Sequence, residues 1–317
     1  MSTVVLFNHP GEEHVAGRAG LYRWNVGDHR RKYLEVSATL ARPEGTTWHR
    51  QPEPQRVGIW AEFEPDTEGH PFPSAPERRG LPSSSHRLLP VGASPPGGQN
   101  TDPWVFGPAF RYGFCRQVAR QTSYLRNLVH GDLLLFGSFF KMDADGSEAP
   151  HFNFFLDTVF VVDTGYPWER RARIPKRLLD PAYERAAASR FDPVERNRCV
   201  LYEGVMLEGR SGQPFSFSPC GRSGAAGSAR VARPLISDLF GLRTAFPREV
   251  PKFENVDARD VWRRVVERCI SAGCELAVRI EDSGVRQAVA DRQAAPGVCL
   301  ELIPFRRVWA ASRVKPP

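Results

Sequence analysis

The densest group of side chains able to do chemistry is Asn8-His9-Pro10-Gly11-Glu12-Glu13-His14, which puts an amide, two imidazoles and two carboxylates into seven positions. A loop stiffened by Pro10 and turned by Gly11 can bring such groups to one substrate atom. There a carboxylate or amide orients a water and an imidazole moves a proton. The alternative is a turn whose polar side chains simply face water. Asn8, His9, Glu12, Glu13 and His14 are the candidate catalytic residues. The two imidazoles stand five positions apart, so they do not share a helical face, and neither HExxH nor a CxxC pair accompanies them. Zinc is therefore not expected, and no metal or cofactor is assigned. A magnesium held by Glu12, Glu13, Glu62 or Asp102 stays an alternative, because hard-cation sites leave weak sequence traces.

A second set of residues could hold a substrate. Trp60, Glu62 and Glu64 alternate with Ala61 and Phe63, so a strand would project both carboxylates from one face. Asn100-Thr101-Asp102-Pro103-Trp104-Val105-Phe106 mixes hydrogen-bonding edges with two large rings, as a flipped base needs for edge contacts and stacking. The alternative is a turn with Trp104 and Phe106 in the core. Glu62, Asn100, Asp102, Trp104 and Phe106 are the candidate substrate-binding residues.

The 317 residues carry 43 Lys+Arg against 36 Asp+Glu, a net charge of +7 that is unevenly placed. Tyr166 to Arg198 holds nine basic and five acidic residues, and Gly209 to Arg233 holds four arginines and no acid. Three cations also follow a turn in Gly27-Asp28-His29-Arg30-Arg31-Lys32. Guanidinium forks fit phosphate oxygens, so Arg30, Arg31, Lys32, Arg170, Arg171, Arg173 and Arg222 are the candidate nucleic-acid contacts, with DNA as the expected partner. All eight histidines lie within the first 151 residues. The expectation is one domain over 1–317, with an active-site core in 1–165 and a basic, nucleic-acid-contacting remainder in 166–317 packed on it.

Several classes are disfavoured. Neither GxGxxG nor GxxxxGK[ST] is present, which speaks against a nucleotide triphosphate enzyme, and GxSxG is missing too. No apolar run approaches the roughly 20 residues of a membrane span, and the start lacks a secretory signal. Six cysteines without paired spacing read as reduced and mostly packed, so a cytoplasmic location is expected.

The elements that must position these groups follow from local patterns. Thr3–Phe7 predicts a strand ending at the Asn8 loop, and Val57–Glu64 predicts a half-buried strand. Leu133–Phe140 and Phe152–Asp163 are apolar on consecutive positions, which predicts strands covered on both faces at the centre of the sheet. Further strands are expected at 199–207, Cys274–Ile280 and Val298–Phe305, and a helical stretch around Val118–Val129. The clearest helix runs from a capping Asp257 to about Ala272, with Gly273 placed to end it. Residues 42–56 and 65–100 read as irregular and 209–233 as a flexible loop. The expected fold class is α+β, with a mixed β-sheet or a small barrel and appended helices.

Six segments together resemble a known group: NHPGEEH at Asn8, GDHRRK at Gly27, WAEFEP at Trp60, TDPWVFG at Thr101, GDLLLFGS at Gly131 and LDTVFVV at Leu156. They are similar to a scattered prokaryotic family that includes phage-defence DNA glycosylases, enzymes that remove glucosylated hydroxymethylcytosine from viral DNA. The resemblance covers about residues 4 to 163. Other members read WGEWEP where this chain has Ala61 and Phe63, so the surroundings of Glu62 depart from the pattern. The resemblance implies base excision, with Asn8 and Glu12 or Glu13 near the attacking water and His9 or His14 toward the departing base. With five lysines and none evidently catalytic, a monofunctional enzyme that uses water and leaves an abasic site is expected. Leu128–Phe136 is also similar to PUA-like and EVE-like barrels, which implies a non-catalytic modified-base binding protein as the alternative. A metal-dependent nuclease is a third reading.

Overall fold

Runs such as Val4–Phe7 and Leu133–Phe136 are apolar at every position because the strands that contain them are buried on both faces. The computed structural model describes residues 2–8, 12–13, 21–22, 30–62, 67–71, 84–88, 102–144, 147–186, 193–222, 231–242 and 251–281. Its strands in chain order are β1 (Ser2–Asn8), β2 (Glu12–Glu13), β3 (Leu21–Tyr22), β4 (Arg30–Glu44), β5 (Thr47–Arg50), β6 (Gln55–Glu62), β7 (Thr67–Pro71) and β8 (Ser84–Leu88). They continue as β9 (Arg111–Tyr112), β10 (Leu133–Met142), β11 (Glu148–Pro167), β12 (Val200–Gly204), β13 (Arg210–Ser211), β14 (Ser218–Arg222), β15 (Lys252–Val256) and β16 (Glu275–Ile280).

One sheet has the order β15-β1-β10-β11-β12-β9, with β1 parallel to β10 and its other neighbours antiparallel. β10 and β11 do lie at its centre. The other sheet runs β16-β14-β6-β4-β8-β7-β3, and β16 also pairs with β4. That last pairing closes β4, β6, β14 and β16 into a four-stranded barrel, while β2 lies parallel beside β4. The fold is thus α+β, with both a mixed sheet and a small barrel, and helices appended.

Alternation along β1 feeds two cores. Val5 and Phe7 join Leu134, Phe136, Phe160 and the barrel residues Leu34 and Ile59. Val4 and Leu6 join Leu133, Leu135 and the apolar face of the helix Ala258–Ser271. That helix starts as expected: the Asp257 side chain accepts hydrogen bonds from the backbone N–H groups of Arg259 and Asp260. Its Trp262 Nε1 donates to the Phe215 carbonyl (2.9 Å), which anchors the helix to the sheet. Asp132 ties the start of β1 to the turn that leads into β10, because its carboxylate accepts from the N–H groups of Thr3 (2.7 Å) and Val129 (2.9 Å).

Several expectations are corrected. Residues 42–56 are largely a β4–β5 hairpin, turned at Gly45 with its positive φ of 62°. Within 209–233, Ser218–Arg222 is a barrel strand, enclosed because β6 and β16 flank it. The expected helix around 118–129 is a kinked 3-10 helix over Arg120–Arg126. Part of 65–100 forms β7 and β8. Leu128–Phe136, which resembles a barrel segment, leads into β10 of the six-stranded sheet and lies outside the closed ring. The strand expected at Val298–Phe305 falls outside the described residues. Cys115, Cys199, Cys220, Cys269 and Cys274 are free thiols, all but Cys115 buried.

Candidate functional site

The end of β1 is fixed by ring packing, because Phe7 sits edge-on to Tyr112 (5.6 Å between centroids) and close to Phe136 (4.8 Å). The next residue, Asn8, pairs in register with Gly137 of β10 and is only 4% exposed. Its Oδ1 is buried with no hydrogen-bond partner among the described residues, while its backbone carbonyl accepts from Arg116 (3.3 Å). An unpaired buried polar atom costs about 1–3 kcal/mol, and such atoms are few in native structures. Here one terminates the strand that leads into the densest polar segment of the chain.

A β-bulge lies beside it. Phe136 pairs with Thr158 and Gly137 with Leu156, which leaves Asp157 as the extra residue on β11. Bulges re-aim a side chain, and Asp157 meets Arg233 in the interior (Nε to Oδ1, 2.7 Å) with both groups at most 2% exposed. Arg233 also donates to Ser138 Oγ (2.9 Å). Its guanidinium lies over three rings, Phe140 (4.7 Å), Trp60 (5.3 Å) and Phe155 (5.8 Å). Trp60 belongs to the barrel and the others to the six-stranded sheet, so this charge pair joins the two sheets. Gly137 permits the approach: a Cβ there would stand 2.1 Å from the Phe155 carbonyl oxygen.

Backbone register brings more candidates to the same end. β4 pairs Arg31 with Glu62 and Tyr33 with Trp60, while β2 pairs Glu12 with Arg30 and Glu13 with Arg31. The positions of Glu13, Arg31 and Glu62 thus share one rung, two residues along the strands from Tyr33 and Trp60. Four chain steps separate Asn8 from Glu12, a reach of at most about 14 Å. Asn8 therefore ends its strand beside the bulge that holds Asp157, and the Glu13–Arg31–Glu62 positions lie two residues along the strands from Trp60, over whose ring the Arg233 guanidinium sits. Lys32 follows on β4, opposite Ala61. His9, His14 and Asn100 lie outside the described residues.

The aromatic loop is placed differently. Asp102, Trp104 and Phe106 are each 0% exposed, so the rings form core rather than a stacking surface. Asp102 accepts from three backbone N–H groups, those of Gly113 (3.0 Å), Phe114 (2.8 Å) and Cys115 (2.7 Å), and thereby clamps the loop that follows β9. Trp104 packs edge-on against Phe106 (5.2 Å) and Tyr183 (5.9 Å). A second buried cation, Arg111, binds Asp180 (2.5 Å) beside them. Burial pushes the Tyr183 hydroxyl well above its usual range, and the Asp102 charge adds to that.

Arg170, Arg171 and Arg173 lie exposed on the 3-10 helix Trp168–Arg173. Arg170 has Glu169 at 3.7 Å, and Arg171 pairs with Glu184. Arg222 is at the end of β14, its side chain 76% exposed and 3.9 Å from Glu275. Asp157, Ser138 and Arg233 were not legible as site residues. Arg233 belongs to a basic run that reads as loop, and its carboxylate partner sits 76 positions earlier.

No family model, curated protein or solved structure matches this chain. Among the described residues no group of three or more His, Cys, Asp or Glu side chains is placed to hold a metal ion. No described helix is long and apolar enough to cross a membrane.

Proposed function

We propose that this protein is a monofunctional DNA N-glycosylase. In this reading it works in the cytoplasm against phage, excising a modified cytosine of the glucosylated hydroxymethyl type to leave an abasic site. The observation that carries the proposal is Asn8: a buried amide oxygen with no hydrogen-bond partner among the described residues, at a strand end beside the bulge that holds the buried Asp157 carboxylate. In hydrolysis of a glycosidic bond, the water oxygen bonds to C1′ as the bond from C1′ to the base nitrogen breaks. The bonding electrons leave with the base, and the water gives up a proton. The Asn8 oxygen can accept a hydrogen bond from that water, Glu12 or Glu13 can take its proton, and His9 or His14 can protonate the departing base.

The test is incubation with hypermodified phage DNA, then alkali and mass spectrometry of the released base. Alkali-sensitive strands with free base are expected, and Asn8→Ala should abolish both. Intact strands with no free base would refute the reading, and cuts that need no alkali and vanish with chelator would point to a nuclease. A second reading is a module that binds a modified base without cleaving it. That reading expects Asn8→Ala and Glu12→Ala proteins to protect cells as well as the parent does.

A further inference from the structure

Three segments far apart in sequence converge around Trp168. The indole is 2% exposed, stacked on Phe114 (5.2 Å), with its backbone N–H donating to the Cys199 carbonyl (3.1 Å). The Cys199 N–H in turn donates to the carbonyl of Arg196 (2.9 Å). Gln117 clamps the 113–126 segment to this strand end through two hydrogen bonds with the Val200 backbone (2.9 and 2.8 Å). The result is a crowd of guanidinium groups. Arg171 and Arg196 lie against the same indole, 5.6 and 5.7 Å from its centroid. Arg126 and Arg198 both act electrostatically on the Cys199 thiol, offsetting part of the burial and the Asp102 charge that push it up to about 12. The carboxylates nearby are Glu195, also felt at Cys199, together with Glu184 on Arg171 and Glu169 on Arg170. Arg126, Arg173 and Arg198 have no carboxylate partner among the described residues.

Like charges collected on one face repel unless an anion sits among them, and arginine forks favour phosphate oxygens. We infer that the arginine face around Trp168 docks the phosphate backbone of duplex DNA. Binders of single strands need exposed rings on which bases stack. Here Trp168 and Phe114 are buried, and the large apolar side chains exposed among the described residues are Val129, Val194 and Ile270, none of them aromatic. A face with charge and no stacking platform reads backbone, not bases. The inference rests on the DNA reading for its partner and does not depend on catalysis.

The experiment measures binding of a short unmodified duplex, and of a single strand of equal length, by fluorescence anisotropy across a salt series. The parent should bind the duplex more tightly, with affinity falling steeply as salt rises. Arg126→Gln/Arg198→Gln should weaken binding about tenfold at low salt and lower the slope of log K against log salt by about 2. Arg173→Gln, at an exposed position that cannot disturb the fold, should lower it by about 1. Arg263→Gln, on the solvent face of the helix Ala258–Ser271, should change neither quantity. Unchanged slopes in both arginine variants, tighter binding of the single strand, or equal competition by polyglutamate would overturn the inference. Duplex binding through this face without base release would leave it standing while the glycosylase reading fell. Base release with unaltered duplex binding in the variants would do the reverse.

Discussion

Arg233 and Asp157 meet at 2.7 Å in the interior, 76 positions apart in sequence, where Trp60 of the barrel faces the six-stranded sheet. A buried ion pair contributes little net stability, because desolvation offsets the attraction, yet losing one partner strands a charge. Asp157→Ala should therefore lower unfolding free energy by about 3–5 kcal/mol in denaturant titration. Asp157→Leu with Arg233→Met should recover most of that loss, and failure to recover would show that the pair itself, not the stranded charge, supports the fold.

Stability and the proposed activity should separate at Asn8. Its Oδ1 is unpaired, so Asn8→Leu should leave the melting temperature unchanged or raised while base release disappears. A destabilised Asn8→Leu protein would mean that the amide is structural.

Asp102 should behave as a clamp. Asp102→Ala leaves three backbone N–H groups without their acceptor, and a loss of about 3 kcal/mol or more is expected in urea titration. Trp104→Phe, by contrast, should cost stability through packing alone, with DNA affinity unchanged in the same anisotropy measurement, since its ring is fully enclosed.

Gly137→Ala tests the close approach beside Asn8. The added methyl would press on the Phe155 backbone carbonyl, which cannot rotate away as a side-chain tip could. Overpacking of this kind costs about 1–3 kcal/mol or more, read by thermal unfolding. A neutral Gly137→Ala protein would show that the central strands can shift apart.

Acid should weaken the helix attachment. Arg268 donates two hydrogen bonds to Asp238 (2.8 and 2.6 Å), which hold that carboxyl below its ordinary range. A carboxyl whose pKa is lowered by folding stabilises the fold above its unfolded value, near 3.9, and loses that contribution as pH falls through the folded value. The stability gap between the parent and Asp238→Asn should be full near neutrality and close below about pH 4. A gap independent of pH would refute the assignment.

Local pattern made much of this fold legible. The strands at Thr3–Phe7, Leu133–Phe140 and Phe152–Asp163 and the helix after Asp257 appear where expected, because two-sided burial and a side-chain cap are written in adjacent residues. Ser218–Arg222 was not legible: Gly, Ser and Pro make it read as loop, and only its neighbours β6 and β16 make it a barrel strand. The same holds for the candidate site. Asn8 could be singled out from its neighbours in sequence, whereas Trp104 and Phe106 carry the same residue types whether they face a base or the core.

What the chain alone determined was which residues are able to be strand, helix or chemically active group, since those are properties of near neighbours. Tertiary structure decided which of them meet. Closing β4 onto β16, aiming Asp157 at Arg233 and laying Arg196 over the Trp168 indole all join residues far apart in sequence. Those partners are chosen by chain path and shared burial, and local periodicity carries no record of either.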